Sequence, residues 1–420
     1  MMGTLSLAAL KAGMRLTADV MDRNGRKLLS GGELLTEQSL RVMKIWGVTE
    51  AQVDGAGQDG EEAGLPDEIS PEVYEAARHR TAERFRHNDE ALPVVQELMR
   101  LCTMRLARRV AERQAEGADN PLGVLDEPVV PKPGIPQPAP VEAQALMQED
   151  MKLGSLPSVF HKLVEVVNDS RSSATDVAEV IANDTDLAAR LLRIVNSPFY
   201  GLRARIDTIS RATAIIGSNQ LVSLAMGVSV ISSFKGVPHA LVSMRHFWEH
   251  SIACGVAARI LASHHRAPNT ERFFVAGILH DIGRLVIYKR LPDHASHLLY
   301  VAQQRGSLVH QCEKEVVGFT HDRLAGMLLK AWKCPVSLEK NVRYHHLPGM
   351  AHNTLEAALM SVADVLANAL EMGTSGERLV PVLDPAAWEA LGLPVSLLWQ
   401  TAVQMDYQVA EIVRLMEVDG

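Results

Sequence analysis

The stretch Phe273-Phe274-Val275-Ala276-Gly277-Ile278-Leu279-His280-Asp281-Ile282-Gly283-Arg284 reads as an apolar helix that ends in an adjacent His-Asp pair and then a glycine. A neutral imidazole beside an ionised carboxylate is a ready pair of ligands for a divalent metal, and both suit a site that also holds water or phosphate oxygen. A His-Asp dipeptide alone is as well explained by a capping or surface pair, so its meaning depends on the rest of the chain. Nearly everything from Leu153 onward has apolar positions at helical spacing and no convincing strand. The spacing predicts a mainly α protein.

Working toward the N-terminus from that stretch, Ile206 to Phe234 reads as helix interrupted at Gly217, and Asp176 to Val195 as one amphipathic run closed by Asn196-Ser197-Pro198. This half carries almost no candidate catalytic groups and is expected to pack and recognise. The histidines crowd between His246 and His352. There, His250, His280-Asp281, His321, His345-His346 and Asp364 follow one another in separate predicted helices or helix ends. Metal-assisted hydrolysis needs such a set, because histidine and carboxylate ligands must converge from several helices and leave room for water and substrate. Asp281 would be the bridging carboxylate between two ions. Each residue alone has a plainer explanation: a lone histidine on an apolar helix is usually a satisfied core residue, and Asp364 could pair with Arg343. One competing motif is His246-Phe247-Trp248-Glu249-His250, which has the spacing of an inverted zinc-protease helix. That reading leaves His280-Asp281, His321 and the His345 pair without a purpose.

The 420 residues, 47% of them hydrophobic and 22% charged, can bury a sizeable core and fill two or three domains. A net charge of -8 argues against nucleic acid as a partner. Cys102, Cys254, Cys312 and Cys334 are widely separated and form no CxxC pair, which suits reduced thiols in a cytoplasmic protein. Lys11 and Arg15 interrupt the apolar residues that a signal peptide would need, and Leu221 to Phe234, the longest uncharged run, is too short to cross a bilayer; no membrane is expected.

Nearer the N-terminus, Asn24-Gly25 between extended runs signals a hairpin, with Lys27 to Leu29 as its second run. An amphipathic segment follows from Thr36, its expected N-cap, to Trp46, with Gly47 as the stop. Gly55-Ala56-Gly57-Gln58-Asp59-Gly60 has the spacing of a dinucleotide-binding loop, but Glu61, Glu62 and Pro66 follow it where a helix would have to start, so an acidic loop is the better reading. Pro71 to Gln114 reads as two helices, the second with a basic face of Arg100, Arg105, Arg108, Arg109 and Arg113, read as a solvated side with an acidic partner as the alternative. Seven prolines between Pro121 and Pro140 mark an extended linker.

Taken together these motifs resemble the HDOD family, the HD-related output domains of bacterial signalling, within the HD superfamily of metal-dependent phosphohydrolases. The resemblance rests on Leu156-Pro157, Ile181-Ala182-Asn183-Asp184 with Asp186-Leu187 and Leu191-Leu192, Asn196-Ser197, Ala214, Gly217, Leu279 to Gly283 and Tyr344-His345-His346. It covers about Leu153 to Met372. A shorter likeness, in Gly13-Met14 through Asp19-Val20, Gly25-Arg26, Leu34-Leu35-Thr36 and Gly47-Val48, is to the small domain that often precedes HD-GYP domains. The resemblance implies a helical bundle followed by an HD-like helical subdomain, after a small α+β unit. The chain then divides into an N-terminal α+β domain (1–60), a helical extension (61–117), a linker (118–150), an HDOD domain (151–372, halves 151–238 and 239–372) and a C-terminal helical tail (373–420). In that tail Trp388, Leu391, Leu393, Leu397, Leu398 and Trp399 suggest amphipathic helices buried on the domain.

By the same resemblance the metal ligands would be His250, His280, Asp281, His321, His345, His346 and Asp364, holding one or two divalent ions, with Arg284 positioned for a phosphate. The chain departs from the family where its Asp-Pro is Asp184-Thr185. It departs from the catalytic HD enzymes where Arg284 replaces lysine, because arginine keeps the charge but is a poor proton donor, and where Leu347-Pro348-Gly349 replaces Gly-Tyr-Pro. The expectation is a cytoplasmic bacterial signal-transduction regulator that binds partner proteins or a small phosphate-containing ligand. The alternative is a metal-dependent phosphohydrolase or phosphodiesterase.

Overall fold

The computed structural model describes residues 2–7, 10–21, 27–46, 48, 50–54, 69–125, 130, 132–134, 136–150, 157–169, 171–202, 204–234, 236–265, 267 and 269–416. At the N-terminus β1 (Met2–Ser6), β2 (Val20–Met21), β3 (Lys27–Leu29), α1 (Glu37–Ile45) and β4 (Glu50–Asp54) form a small unit. β2 and β3 pair antiparallel, as the Asn24-Gly25 signal requires, although the turn itself lies outside the described residues. Gly47 and the loop from Gly55 to Gly60 also lie outside them, as does Leu156. Thr36 caps α1 by accepting the Ser39 N–H at 3.0 Å. The sequence reading missed the antiparallel pair of β1 and β4. In β4 the alternation of buried Ala51 and Val53 with exposed Gln52 and Asp54 is too brief to separate from loop.

The rest is helical among the described residues: α2 (Pro71–Arg84), α3 (Pro93–Ala115), α4 (Ala143–Asp150), α5 (Ser158–Asn168), α6 (Ala174–Ala182), α7 (Thr185–Val195), α8 (Ile209–Ile216), α9 (Ser218–Ser233), α10 (Met244–His264), α11 (Glu271–Leu279), α12 (Ile282–Arg290), α13 (Pro292–Arg305), α14 (Val309–Val316), α15 (His321–Ala331), α16 (Val336–Arg343), α17 (Thr354–Ala369), α18 (Pro385–Leu391) and α19 (Leu397–Leu415). The run from Asp176 to Val195 is therefore two helices. Asp184 breaks it by turning its carboxylate onto the Leu187 N–H, at 3.0 Å, which makes it the N-cap of α7. Thr185 then occupies the first helical position, where proline is favoured but not required. Gly217, at φ +99°, separates α8 from α9 as the sequence indicated.

α5 to α9 pack on one another, and α9 joins them to α11. At the centre lies α10, against α11, α17 and α19. Two glycines set its crossing with α11. A Cβ on Gly277 would lie 2.2 Å from the Gly255 nitrogen, and one on Gly255 would lie 2.4 Å from the Phe274 carbonyl oxygen, so the backbones touch only because neither side chain exists. α3 buries Leu98, Leu101 and Cys102 in the main core; of its basic face Arg100, Arg108 and Arg113 are exposed, as expected, whereas Arg105 and Arg109 meet carboxylates from the far end of the chain. Arg105 makes a two-pronged contact with Asp406 of α19 at 2.5 and 2.7 Å, and Arg109 pairs with Glu371. The proline-rich segment is pinned to the helices it crosses: the Val130 N–H donates to Gln303, the Val141 N–H donates to the Val317 carbonyl, and His294 bonds the Ala139 carbonyl. In the C-terminal helices Leu391, Leu397 and Leu398 are buried on the domain, whereas Trp399 remains 47% exposed.

Candidate metal centre

Each candidate ligand sits where a helix begins, ends or faces the core. His250 projects from α10, and Asp364 from the middle of α17. His280 closes α11, and Asp281 opens α12 immediately after it. His321 is the first residue of α15, and His345 and His346 stand in the turn after α16. Gly283 explains the glycine in the opening motif, since a Cβ there would lie 2.1 Å from the His321 carbonyl oxygen. Only glycine lets the start of α15 reach the start of α12 and bring His321 to Asp281.

The seven sequence-predicted ligands converge. On one side His250 Nε2 is 3.3 Å from Asp364 Oδ1 and 3.6 Å from Asp281 Oδ2, and His280 Nε2 is 3.2 Å from Asp281 Oδ2 and 3.5 Å from Asp364 Oδ1. On the other, His321 Nε2 is 2.9 Å from Asp281 Oδ1, 3.4 Å from His345 Nε2 and 3.3 Å from His346 Nε2. The two oxygens of Asp281 thus face different histidine sets. His250, His280, Asp281, His321, His345 and Asp364 are each at most 3% exposed, and His346 is half-buried at the margin, stacked on His310 with centroids 4.2 Å apart.

The outer hydrogen bonds orient these rings. His280 Nδ1 donates to the Gly277 carbonyl and His345 Nδ1 to the Val342 carbonyl, both at 2.6 Å, and His321 Nδ1 donates to Glu313 at 2.7 Å. Each Nε2 lone pair is thereby turned into the cluster, as a metal-binding imidazole requires. Burial alone would raise the Glu313 carboxyl, yet His321 and Arg284 hold it down to about 2. Burial would lower His321, but Glu313 and Asp281 raise it to about 9; burial and the neighbouring imidazoles His280 and His321 push His345 down to about 4. Asp281 and Asp364 are held below the usual carboxylate range against their burial, Asp281 by Arg284 and the imidazoles and Asp364 by His250 and His280. Asp281 and Glu313 lie beside Arg284 and Asp364 beside His250 and His280, so these three buried carboxylates share one guanidinium and need further positive charge, from protonated imidazoles or from a cation.

The residues fit a divalent metal. Metal–ligand bonds of about 2.1 Å set neighbouring donor atoms about 3.0 Å apart at right angles and about 3.4 Å apart in a tetrahedron, which is the spacing found here. Four groups bring their possible ligand atoms within 4.8 Å of one another: His250, His280 and Asp364; His280, Asp281 and His345; His321, His345 and His346; and Glu313, His321 and Asp322. His250 Nε2, His280 Nε2 and Asp281 Oδ1 are buried without a hydrogen-bond partner, as donor atoms awaiting a cation would be.

Arg284, expected to face a phosphate, is buried behind Asp281. Its guanidinium donates to Ser375 Oγ at 2.7 Å and lies 3.5 to 4.0 Å from Asp281, Glu313 and Glu377. His246 is exposed at the first turn of α10 and belongs to none of the donor groups, so the protease-like spacing brings no second histidine to His250. Asp364 is held by Asn368, whose amide donates to Oδ1 at 2.8 Å, and by the two histidines rather than by Arg343. Glu313, Asn368, Ser375 and His310 escaped the sequence reading. A glutamate on an amphipathic helix eight residues before His321 looks solvated until the tertiary fold buries it, and no local signal would have found it.

A family model described as "HDOD domain" matches residues 153–348. A crystal structure from Shewanella amazonensis, of a protein provisionally classed as a phosphohydrolase, is 25% identical with a TM-score of 0.53, and covers 65% of this chain and 98% of that one. An HDOD domain protein of unknown function from Geobacter sulfurreducens is 21% identical with a TM-score of 0.53, over 65% of this chain and 96% of that one. A Marinobacter aquaeolei protein provisionally classed in signal transduction is 21% identical with a TM-score of 0.51, over 68% of this chain and 62% of that one. An uncharacterised Treponema pallidum protein is 22% identical over 202 residues, which span 46% of this chain but only 38% of that protein. Among the described residues no helix is long and apolar enough to cross a membrane.

Proposed function

Taking as premise that residues 153–348 are an HDOD domain, we propose that the chain is a bacterial signalling regulator whose His/Asp cluster is a closed, resident metal centre rather than a turnover site. One observation carries this reading: six of the seven ligands are at most 3% exposed, and the guanidinium beside them is spent on the protein's own carboxylates and Ser375. Structural metal sites are closed, whereas catalytic ones keep a position open to substrate. His250, His280 and Asp364 would hold one divalent ion, His321, His345 and His346 a second, with Asp281 between them. Bound there, the metal supplies the missing positive charge and ties α10, α11, α12, α15, α16 and α17 together, so that its binding free energy becomes folding free energy. The output would be binding of a protein partner, or of a small phosphate-containing ligand, by the surrounding helices.

A second reading is favoured by one feature, the half-buried margin at His346 and His310, which is where a small substrate would reach the cluster. On that reading the chain is a metal-dependent phosphohydrolase, the class provisionally given to the Shewanella protein. Metal analysis of the purified protein, followed by a phosphodiester and nucleotide screen with Asp281→Ala alongside, separates the two. Stoichiometric metal without turnover is expected; metal-dependent turnover that Asp281→Ala abolishes would sink the regulatory reading. A metal-free protein whose output survives His280→Ala and Asp281→Ala would sink both.

A further inference from the structure

Asp364 lies just beyond the family-matching residues 153–348, and a chain of contacts along α17 leads from it to a segment far ahead of them. Asn368, one turn on, donates its amide to Asp364 Oδ1 at 2.8 Å. The carbonyls of Asn368 and Ala369 lie in the last turn of the helix, where no further helical turn follows to satisfy them, and the Asn368 carbonyl accepts the Glu371 N–H at 3.1 Å. Both are taken by Arg84, the last residue of α2, at 2.5 and 3.1 Å. Arg84 is buried, and Cys102 of α3 adds its thiol to the Ala369 carbonyl at 3.1 Å. The next residues strengthen the join. Glu371 adopts φ +55°, unfavourable for any residue with a Cβ, and from there its carboxylate pairs with Arg109 and lies 3.3 Å from Arg84.

A second strand of contacts runs beside the first. The Val380 N–H donates to the Arg84 carbonyl, and Asn88, just beyond α2, bonds the backbone of Val380 and Leu383. The same crossing segment gives Ser375 to Arg284 and its Ser375 carbonyl to Tyr288. The hairpin of α2 and α3 therefore touches the cluster's support from two directions, although residues 71–115 lie far ahead of the matched segment in sequence.

We infer that the α2–α3 hairpin is a working part of the metal centre: Arg84 positions Asp364 through Asn368, so that removing the Arg84 guanidinium loosens the ion held by His250, His280 and Asp364 while sparing the one held by His321, His345 and His346. This rests on the metal reading above. It gives the segment ahead of the linker a purpose, as the handle through which a signal received there reaches the cluster.

The test is titration of the full-length, chelator-stripped protein with Co2+, following the visible absorption bands and the affinity of each ion. Asn368→Ala and Arg84→Ala are expected to weaken one ion by about tenfold or more and to shift its bands, leaving the other unchanged. Arg84→Lys, which keeps the charge and can still reach a carbonyl, recovers part of the loss. Glu313→Gln weakens the other ion instead. The Arg84→Ala, Asn368→Ala double variant loses no more than the worse single one, because both act along one path. Folded single variants with wild-type affinities and bands, equal losses at both ions, or additive losses in the double variant would each overturn the inference and leave the metal reading intact. A wild-type protein that takes up no Co2+ sinks both. Should Arg84→Ala fail to fold, Arg84→Lys and Asn368→Ala carry the same comparison.

Discussion

A single absent side chain decides the geometry of the cluster. Gly283 leaves room for the His321 carbonyl at a place where a Cβ would sit 2.1 Å away, a backbone contact that no rotamer change can relieve. Gly283→Ala is expected to cost about 3 kcal/mol in urea unfolding and to abolish stoichiometric metal uptake; a variant as stable as the parent would mean that α12 and α15 do not meet there. Burial has a chemical consequence for the thiols. It pushes the Cys102 thiol up to about 11 and the Cys334 thiol up to about 12. At pH 8 only about one in a thousand and one in ten thousand of these would be thiolate, the reactive form. Both cysteines should therefore resist a thiol reagent in the native protein, at under about 1% of the rate in denaturant, and mass spectrometry of the labelled peptides reads this directly.

Among the elements, the caps and breaks divide the apolar pattern into helices. Between Asp176 and Val195 the apolar spacing runs through Asn183-Asp184 almost unbroken, and periodicity alone could not have divided it. Asp184→Ala removes the acceptor for the Leu187 N–H and is expected to cost about 1 kcal/mol, read as a lowered urea midpoint at an unchanged slope. The basic face of α3 teaches the same point from the other side. Arg105 and Arg109 looked as solvated as Arg100, Arg108 and Arg113, which are exposed, because the carboxylates that meet them, Asp406 and Glu371, lie some 260 to 300 residues further along the chain. Pairing across that distance leaves no local mark in a sequence.

For the whole molecule, a cluster built from six helices would, on the proposed reading, couple metal binding to stability. An ion present at about a hundred times its dissociation constant contributes about 2.7 kcal/mol, so a chelator should lower Tm on the order of 5 °C, and restoring the metal should recover it. No change on chelation would show that the cluster holds no ion that matters to folding. Acid should act in the same direction. Bound ligand imidazoles are unprotonated and must take up protons as the ion leaves; His321, raised to about 9 without the ion, takes one up first, so the chelator-sensitive part of Tm should shrink as pH falls below about 9.

The order of the residues that converge was legible in the sequence, from His250 through His280-Asp281, His321 and His345-His346 to Asp364, and so was the helical class of the chain after the linker. Both are written locally: an apolar face repeats every turn, and a histidine beside an aspartate stands out against it. The glycines of the crossing were visible as letters, but their purpose was not. What tertiary structure alone decided was which groups stand behind the ligands. Glu313 under His321, Arg284 turned inward, Arg84 on the last carbonyls of α17 and Asp406 opposite Arg105 all depend on contacts between distant segments. Such contacts are set by how helices cross and what the crossing buries, and a buried charge has the same letter in the sequence as a solvated one.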